Sequence, residues 1–154
     1  MDIVALIISI LAFLLSVIQF FRDNSSEKKQ ATLNAYQDLQ ENALGDLATY
    51  PTPMPDIPWG SDEWKKVSGF LAALEWFSVG VNTGAFSLRV TNRIGGSFLI
   101  HQYEQLKKVI VKKRELNIAK GEHYNEFEQL VSKLKKHRAR MERLKNWTSV
   151  FRRE

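Results

Sequence analysis

SDEWKKVSGFLAALEWFSVGVNTG, residues 61–84, is the stretch on which the fold turns. Ser61 followed by Asp62 and Glu63 offers a capping oxygen and two carboxylates at the positive end of a helix dipole. Trp64, Val67, Leu71, Leu74, Ser78 and Val81 then recur every three or four residues, with Phe70 and Phe77 widening the stripe. Asn82-Thr83-Gly84 is an apt stop. The apolar run from Val67 to Phe86 competes as a membrane span, but Glu75 near its middle and Asn82 near its end argue against that. The spacing therefore predicts the central core helix of a water-exposed domain.

Towards the N-terminus, all four prolines (Pro51, Pro53, Pro55, Pro58) fall between Tyr50 and Gly60. They forbid a helix or a central strand and predict an extended connector, held down by Trp59 and Met54. Before it, Leu33, Tyr36, Leu39, Ala43 and Leu47 step at helical spacing. Asn24 and Glu27 are placed as a cap and its capping-box partner. Earlier still lies IVALIISILAFLLSVIQFF, residues 3–21, without charge, proline or glycine. At about 1.5 Å per residue it nearly spans a hydrocarbon core of roughly 30 Å, which predicts a transmembrane anchor. A cleaved signal peptide requires a basic start and a small-x-small cleavage site, and neither is present. Arg22, Lys28 and Lys29 follow the run and nothing basic but the amino terminus precedes it, so the N-terminus is expected outside and the bulk of the chain in the cytoplasm. Whether the anchor continues into the next helix is left open.

Towards the C-terminus, Ser87 can cap a helix carrying Leu88, Ile94, Phe98, Tyr103, Leu106 and Ile110 as far as Arg114, with Gly95-Gly96 permitting a kink or a close approach. A polar break from Asn117 to Glu122 precedes a last helix faced by Tyr124, Phe127, Leu130, Val131 and Leu134. Nothing alternates with period 2, so the fold is expected to be all-α: one N-terminal transmembrane helix, residues 1–22, a small antiparallel helical bundle, 23–134, and a basic amphipathic tail, 135–154. The charge is distributed accordingly. Residues 1–132 hold 13 Lys and Arg against 15 Asp and Glu, while residues 133–154 hold 9 against 2.

The apolar N-terminal helix, FLAALEWFSVGVNTGAFS, IHQYEQLKKVIVKKR and HYNEFEQLVSKL together resemble a bacterial family catalogued as a domain of unknown function. Its members are similar in having one N-terminal membrane helix and a small helical cytoplasmic domain. The resemblance covers roughly residues 1–134 and leaves the basic tail outside. It implies architecture without activity, and carries Glu75, Gly84, Tyr103, Arg114, Phe127 and Leu130 over by position as the family's recurrent residues.

No phosphate-binding glycine loop, HExxH or G-x-S-x-G is present. The absence of cysteine excludes disulfides and thiolate zinc sites. His101 with Glu104 one turn on makes at most half a metal site, so neither cofactor nor metal is expected and His101 is read as a partly buried helix residue. Glu75, on a helix fit for burial, must be paired or hydrogen-bonded. Arg114 is the leading partner, with Arg89, Arg93 and His101 as alternatives; an acid in a pocket is the functional reading of the same residue. The tail interleaves cations with apolar residues. Lys135, Lys136, Arg138, Arg140, Arg143, Trp147 and Phe151 are thus candidates for contact with anionic lipid, with nucleic acid the less favoured ligand. Together these features predict a single-pass inner-membrane interaction or regulatory module, not an enzyme, whose further partner is a second copy of the chain or another protein. The alternative is a membrane-perturbing effector of phage or bacterial conflict systems, acting by oligomerisation in the bilayer.

Overall fold

The structure, a computed structural model, describes residues 24–51, 54–116 and 123–150, together with Phe13 and Ser16; of residues 145–150 it gives the backbone. The expected anchor apart from Phe13 and Ser16, the break at 117–122, the side chain of Trp147 and the whole of Phe151 lie outside the described residues. Every regular element among them is helical. Residues 24–47 form α1, Asp62–Asn82 α2, Leu88–Leu116 α3 and Asn125–Val150 α4. Among the described residues no helix is long and apolar enough to cross a membrane, α2 included.

Local sequence accounts for the element ends. The Ser61 hydroxyl accepts the Trp64 N–H at 3.1 Å and starts α2. Gly84, at φ +83°, supplies the left-handed residue that lets the chain leave α2. The Ser87 hydroxyl accepts the Val90 N–H at the start of α3. The orphan N–H of Ser87 itself is taken at 2.8 Å by the hydroxyl of Thr32, which is fully buried in α1. Along the proline-rich connector Met54 and Ile57 enter the core. Trp59 stays 61% exposed and rests on the Trp64 ring at 5.1 Å.

The helices alternate in direction. Tyr36 of α1 meets Phe77 of α2 while Tyr50, just beyond α1, meets Phe70, so these two helices run antiparallel. Lys113, late in α3, lies over Trp64, early in α2. Arg114 reaches Glu128 and Arg138 reaches Asn92, which sets α4 antiparallel to α3. Leu47, Leu71, Leu74, Leu99, Leu106, Phe127, Leu130 and Leu134 are fully buried between them. Burying each contributes roughly 1.5–3 kcal/mol.

Two stripes differ from their sequence reading. Leu33 and Ile94 are exposed, while Thr32, Thr91 and Gly95 are buried. The cause is close packing of α1 on α3: the Tyr36 ring occupies the space over Gly95, where an added Cβ would overlap the ring and its hydroxyl. Gly95 therefore serves close approach, one of the two roles the sequence allowed it. Beyond Tyr36, α1 makes one π turn, Gln40–Leu44, closed by the Gly45 N–H on the Gln40 carbonyl. The extra residue brings both Ala43 and Leu44 into the core.

Candidate functional site: a basic cleft at one end of the bundle

Two polar assemblies hold the side chains singled out by sequence. The first surrounds the start of α4. One oxygen of the half-buried Glu75 accepts the Glu126 N–H at 3.1 Å and the other the Phe127 N–H at 2.8 Å, so α2 caps α4. Arg114 donates from Nε to the His123 carbonyl at 2.9 Å, and from one terminal nitrogen to Asn125 Oδ1 at 3.0 Å and Glu128 at 2.9 Å. Glu75 and Arg114 thus act on the same turn but form no ion pair with each other. The expected pairing fails because the first four N–H groups of a helix have no partner within it and can satisfy a carboxylate without a cation. Neither Arg89, Arg93 nor His101 takes its place, and His101 is exposed.

The hydrogen bond from Arg114 holds the Glu128 carboxyl below the ordinary glutamate range, against the opposing effect of burial; the Tyr103 hydroxyl adds to the lowering. Burial, and then Glu128, push the Tyr103 hydroxyl up. The Tyr103 and Phe127 rings meet edge to face at 5.7 Å. Glu75, Tyr103, Arg114 and Phe127, which the family resemblance singled out, therefore meet at one helix start. Both Glu75 oxygens are occupied by backbone, which makes this assembly a structural clasp. No group of three or more metal-ligating side chains occurs among the described residues, and Glu104 pairs with Lys135 at 2.5 Å, not with His101.

The second assembly is a cleft of about 750 Å³ between the first turns of α3 and the distal half of α4. Arg89, Asn92 and Arg93 line one side; His137, Arg138, Arg140, Met141, Glu142 and Leu144 line the other. Four guanidiniums thus face one carboxylate. Asn92 orders the floor, since its Oδ1 accepts from Arg138 Nε at 3.0 Å. Arginine only donates, so the Asn92 amide nitrogen must face His137 Nδ1, 3.3 Å away, leaving the proton of a neutral ring on Nε2. Among the described residues Arg89, Arg93 and Arg140 have no ion-pair partner.

Of the tail residues expected to contact lipid, the structure brings Arg138 and Arg140 into this cleft. Lys135 lies against Glu104, and Lys136 and Arg143 are exposed. The tail is no separate segment within the described residues, because α4 runs unbroken from Asn125 through the 134/135 boundary to Val150. The sequence by itself offers Arg89 and Arg93 only as partners for Glu75. Their four-residue spacing marks one helix face, but only the crossing of α3 and α4 joins that face to the tail.

A model of the family described as Domain of unknown function (DUF4760) matches residues 5–134, and the chain belongs to that family. No curated protein and no solved structure matches it.

Proposed function

We propose that this DUF4760 member is a membrane-anchored interaction module: residues 3–21 span the inner membrane, the bundle lies in the cytoplasm, and its basic end contacts anionic lipid without catalysis. The observation that carries the reading is the sharing of one end. The Thr32 hydroxyl, in the third turn of α1, accepts the Ser87 N–H at 2.8 Å, and little more than one turn further along α3 Asn92 bonds Arg138. The basic cleft therefore lies towards the end of the bundle from which α1 enters, level with about its third turn and eleven residues after the apolar run. An anchor at that end turns Arg89, Arg93, Arg138 and Arg140 towards the head groups, and each cation that comes within a Debye length of about 8 Å contributes up to about 1 kcal/mol. The same arrangement puts these cations on one side with Arg22, Lys28 and Lys29, as the positive-inside bias requires.

The chain has no cysteine, so single labels can be introduced cleanly. In full-length protein reconstituted in anionic bilayers, a fluorophore on Ala139→Cys should be quenched by headgroup-bound quenchers. One on Glu115→Cys, about 35 Å away along α3, should not. A reporter fused to Glu154 and active only in the cytoplasm should give signal. Equal quenching at both sites, or a C-terminal reporter active only outside, refutes the reading.

A further inference from the structure

The cleft between α3 and α4 is more selective in shape and chemistry than a basic surface. We infer that it is a binding site for the phosphomonoester headgroup of a lipid, an inference that rests on the anchored reading above. Three features of the cleft point to that ligand. First, the cations converge from two helices onto one concavity of about 750 Å³, and Arg89, Arg93 and Arg140 reach it without an ion-pair partner among the described residues. A guanidinium presents a planar fork that matches phosphate oxygens two at a time. A phosphomonoester carries about −1.5 to −2 charges and three terminal acceptor oxygens at neutral pH, whereas a diester offers one charge and two such oxygens. Four guanidiniums against the single carboxylate of Glu142 leave an excess that the monoester neutralises more fully.

Second, the floor is preordered. Asn92 holds Arg138 through Nε, which leaves the two terminal nitrogens of that guanidinium to donate, and it holds His137 as the tautomer whose Nε2–H is a further donor. Ligand binding then loses less side-chain freedom than it would on mobile surface arginines.

Third, the cleft is not polar throughout. Met141 and Leu144, 46% and 49% exposed, line it next to the cations. A free phosphate has no use for that apolar wall, but the glycerol and first methylenes of a lipid do. The cleft lies towards the end of the bundle from which α1 enters, and on the anchored reading that end faces the bilayer.

The test uses the full chain in neutral detergent micelles, titrated by calorimetry with short-chain phosphatidic acid, short-chain phosphatidylglycerol and glycerol phosphate. Phosphatidic acid should bind saturably, at one per chain: about tenfold or more tighter than phosphatidylglycerol, since one charge-assisted bond is worth that factor, and about tenfold or more tighter than glycerol phosphate, since burial of about two methylenes on Met141 and Leu144 is worth a similar factor. Arg89→Gln with Arg93→Gln should lower its affinity at least about tenfold with no change in melting temperature. Arg140→Gln, at an exposed and unpaired residue, is the independent check and should lower affinity in the same direction. Equal affinity for monoester and diester, or unaltered binding by these variants, overturns the site while the broader anionic-lipid reading stands. Glycerol phosphate binding as tightly as the lipid overturns the lipid source in favour of a soluble phosphate ester. Tighter binding to a DNA duplex than to phosphatidic acid also overturns it. If neither anionic lipid binds above phosphatidylcholine, both readings fall.

Discussion

The Glu75 carboxylate accepts the backbone N–H of Phe127 at 2.8 Å, so the first turn of α4 is capped by a side chain 52 residues earlier in the chain. Capping bonds are usually supplied from within the segment that starts the helix. Supplied from α2, this one makes the start of α4 conditional on α2 being in place. Asn82 reinforces it by donating to the Glu126 carbonyl at 2.8 Å and carboxylate at 2.7 Å, and its oxygen accepts from Lys133 at 2.9 Å.

Glu75→Ala leaves two N–H groups of α4 without their acceptor and should cost about 1–3 kcal/mol of stability. Glu75→Gln keeps one carbonyl acceptor and should cost less. Thermal melts of the full-length protein in detergent, followed by circular dichroism, check the order. Equal melting temperatures for parent, Gln and Ala variants would mean that the carboxylate contributes nothing to holding α4.

Gly95→Ala puts a methyl group into the space held by the Tyr36 ring. Because that ring also packs against Phe77 at 5.9 Å, it cannot swing away freely, and a loss of about 1–3 kcal/mol is expected. In a Tyr36→Leu background the same change should cost much less. A double-mutant cycle that comes out additive would separate the two residues.

Acid should loosen the α4 clasp through Glu128. Its folded carboxyl lies below the unfolded value of about 4.3, so its contribution is full above that pH and is lost as pH falls through the lower folded value. Glu128→Gln should melt lower than the parent at neutral pH, and the two curves should converge well below pH 4. For Tyr103 the sign is opposite. Its folded hydroxyl titrates above the ordinary value near 10, so the contribution is full below about pH 10 and lost as pH rises further, a loss that Tyr103→Phe should reduce. Curves for Glu128→Gln that stay a constant distance from the parent down to pH 3 would exclude the carboxyl as the titrating group.

Charge reversal in the tail should divide into two classes. Lys136→Glu and Arg140→Glu change exposed residues without partners among those described, and each should shift stability by less than about 0.5 kcal/mol. Lys135→Glu sets a carboxylate against Glu104 and loses a half-exposed pair, while Arg138→Glu leaves the Asn92 oxygen without its donor. Those two should lower the melting temperature measurably, and identical melts for all four variants would contradict the contacts drawn for Lys135 and Arg138.

The parts of this molecule legible in its sequence are those decided within a turn or two of chain. Ser61 caps α2, Gly84 ends it at positive φ, and the prolines exclude regular structure at residues 54–58, because each effect acts on neighbouring backbone. Helical periodicity likewise named most of the core, from Leu71 and Leu74 to Phe127 and Leu134. It failed at Leu33 and Ile94, where the spacing was right but the face was set by how closely Tyr36 lets α1 approach Gly95. The partner of Glu75 was beyond local reading for a related reason. A carboxylate is satisfied equally by a cation or by free N–H groups, and every helix start offers the latter, so only helix packing selects among them. The basic cleft follows the same logic. The sequence determined that the last 22 residues carry an excess of cations, whereas the crossing of α3 over α4 decided that Arg89 and Arg93 join Arg138 and Arg140 in one concavity. Charge is a local property of residues; convergence of charge depends on the register of helices that meet only in the folded chain.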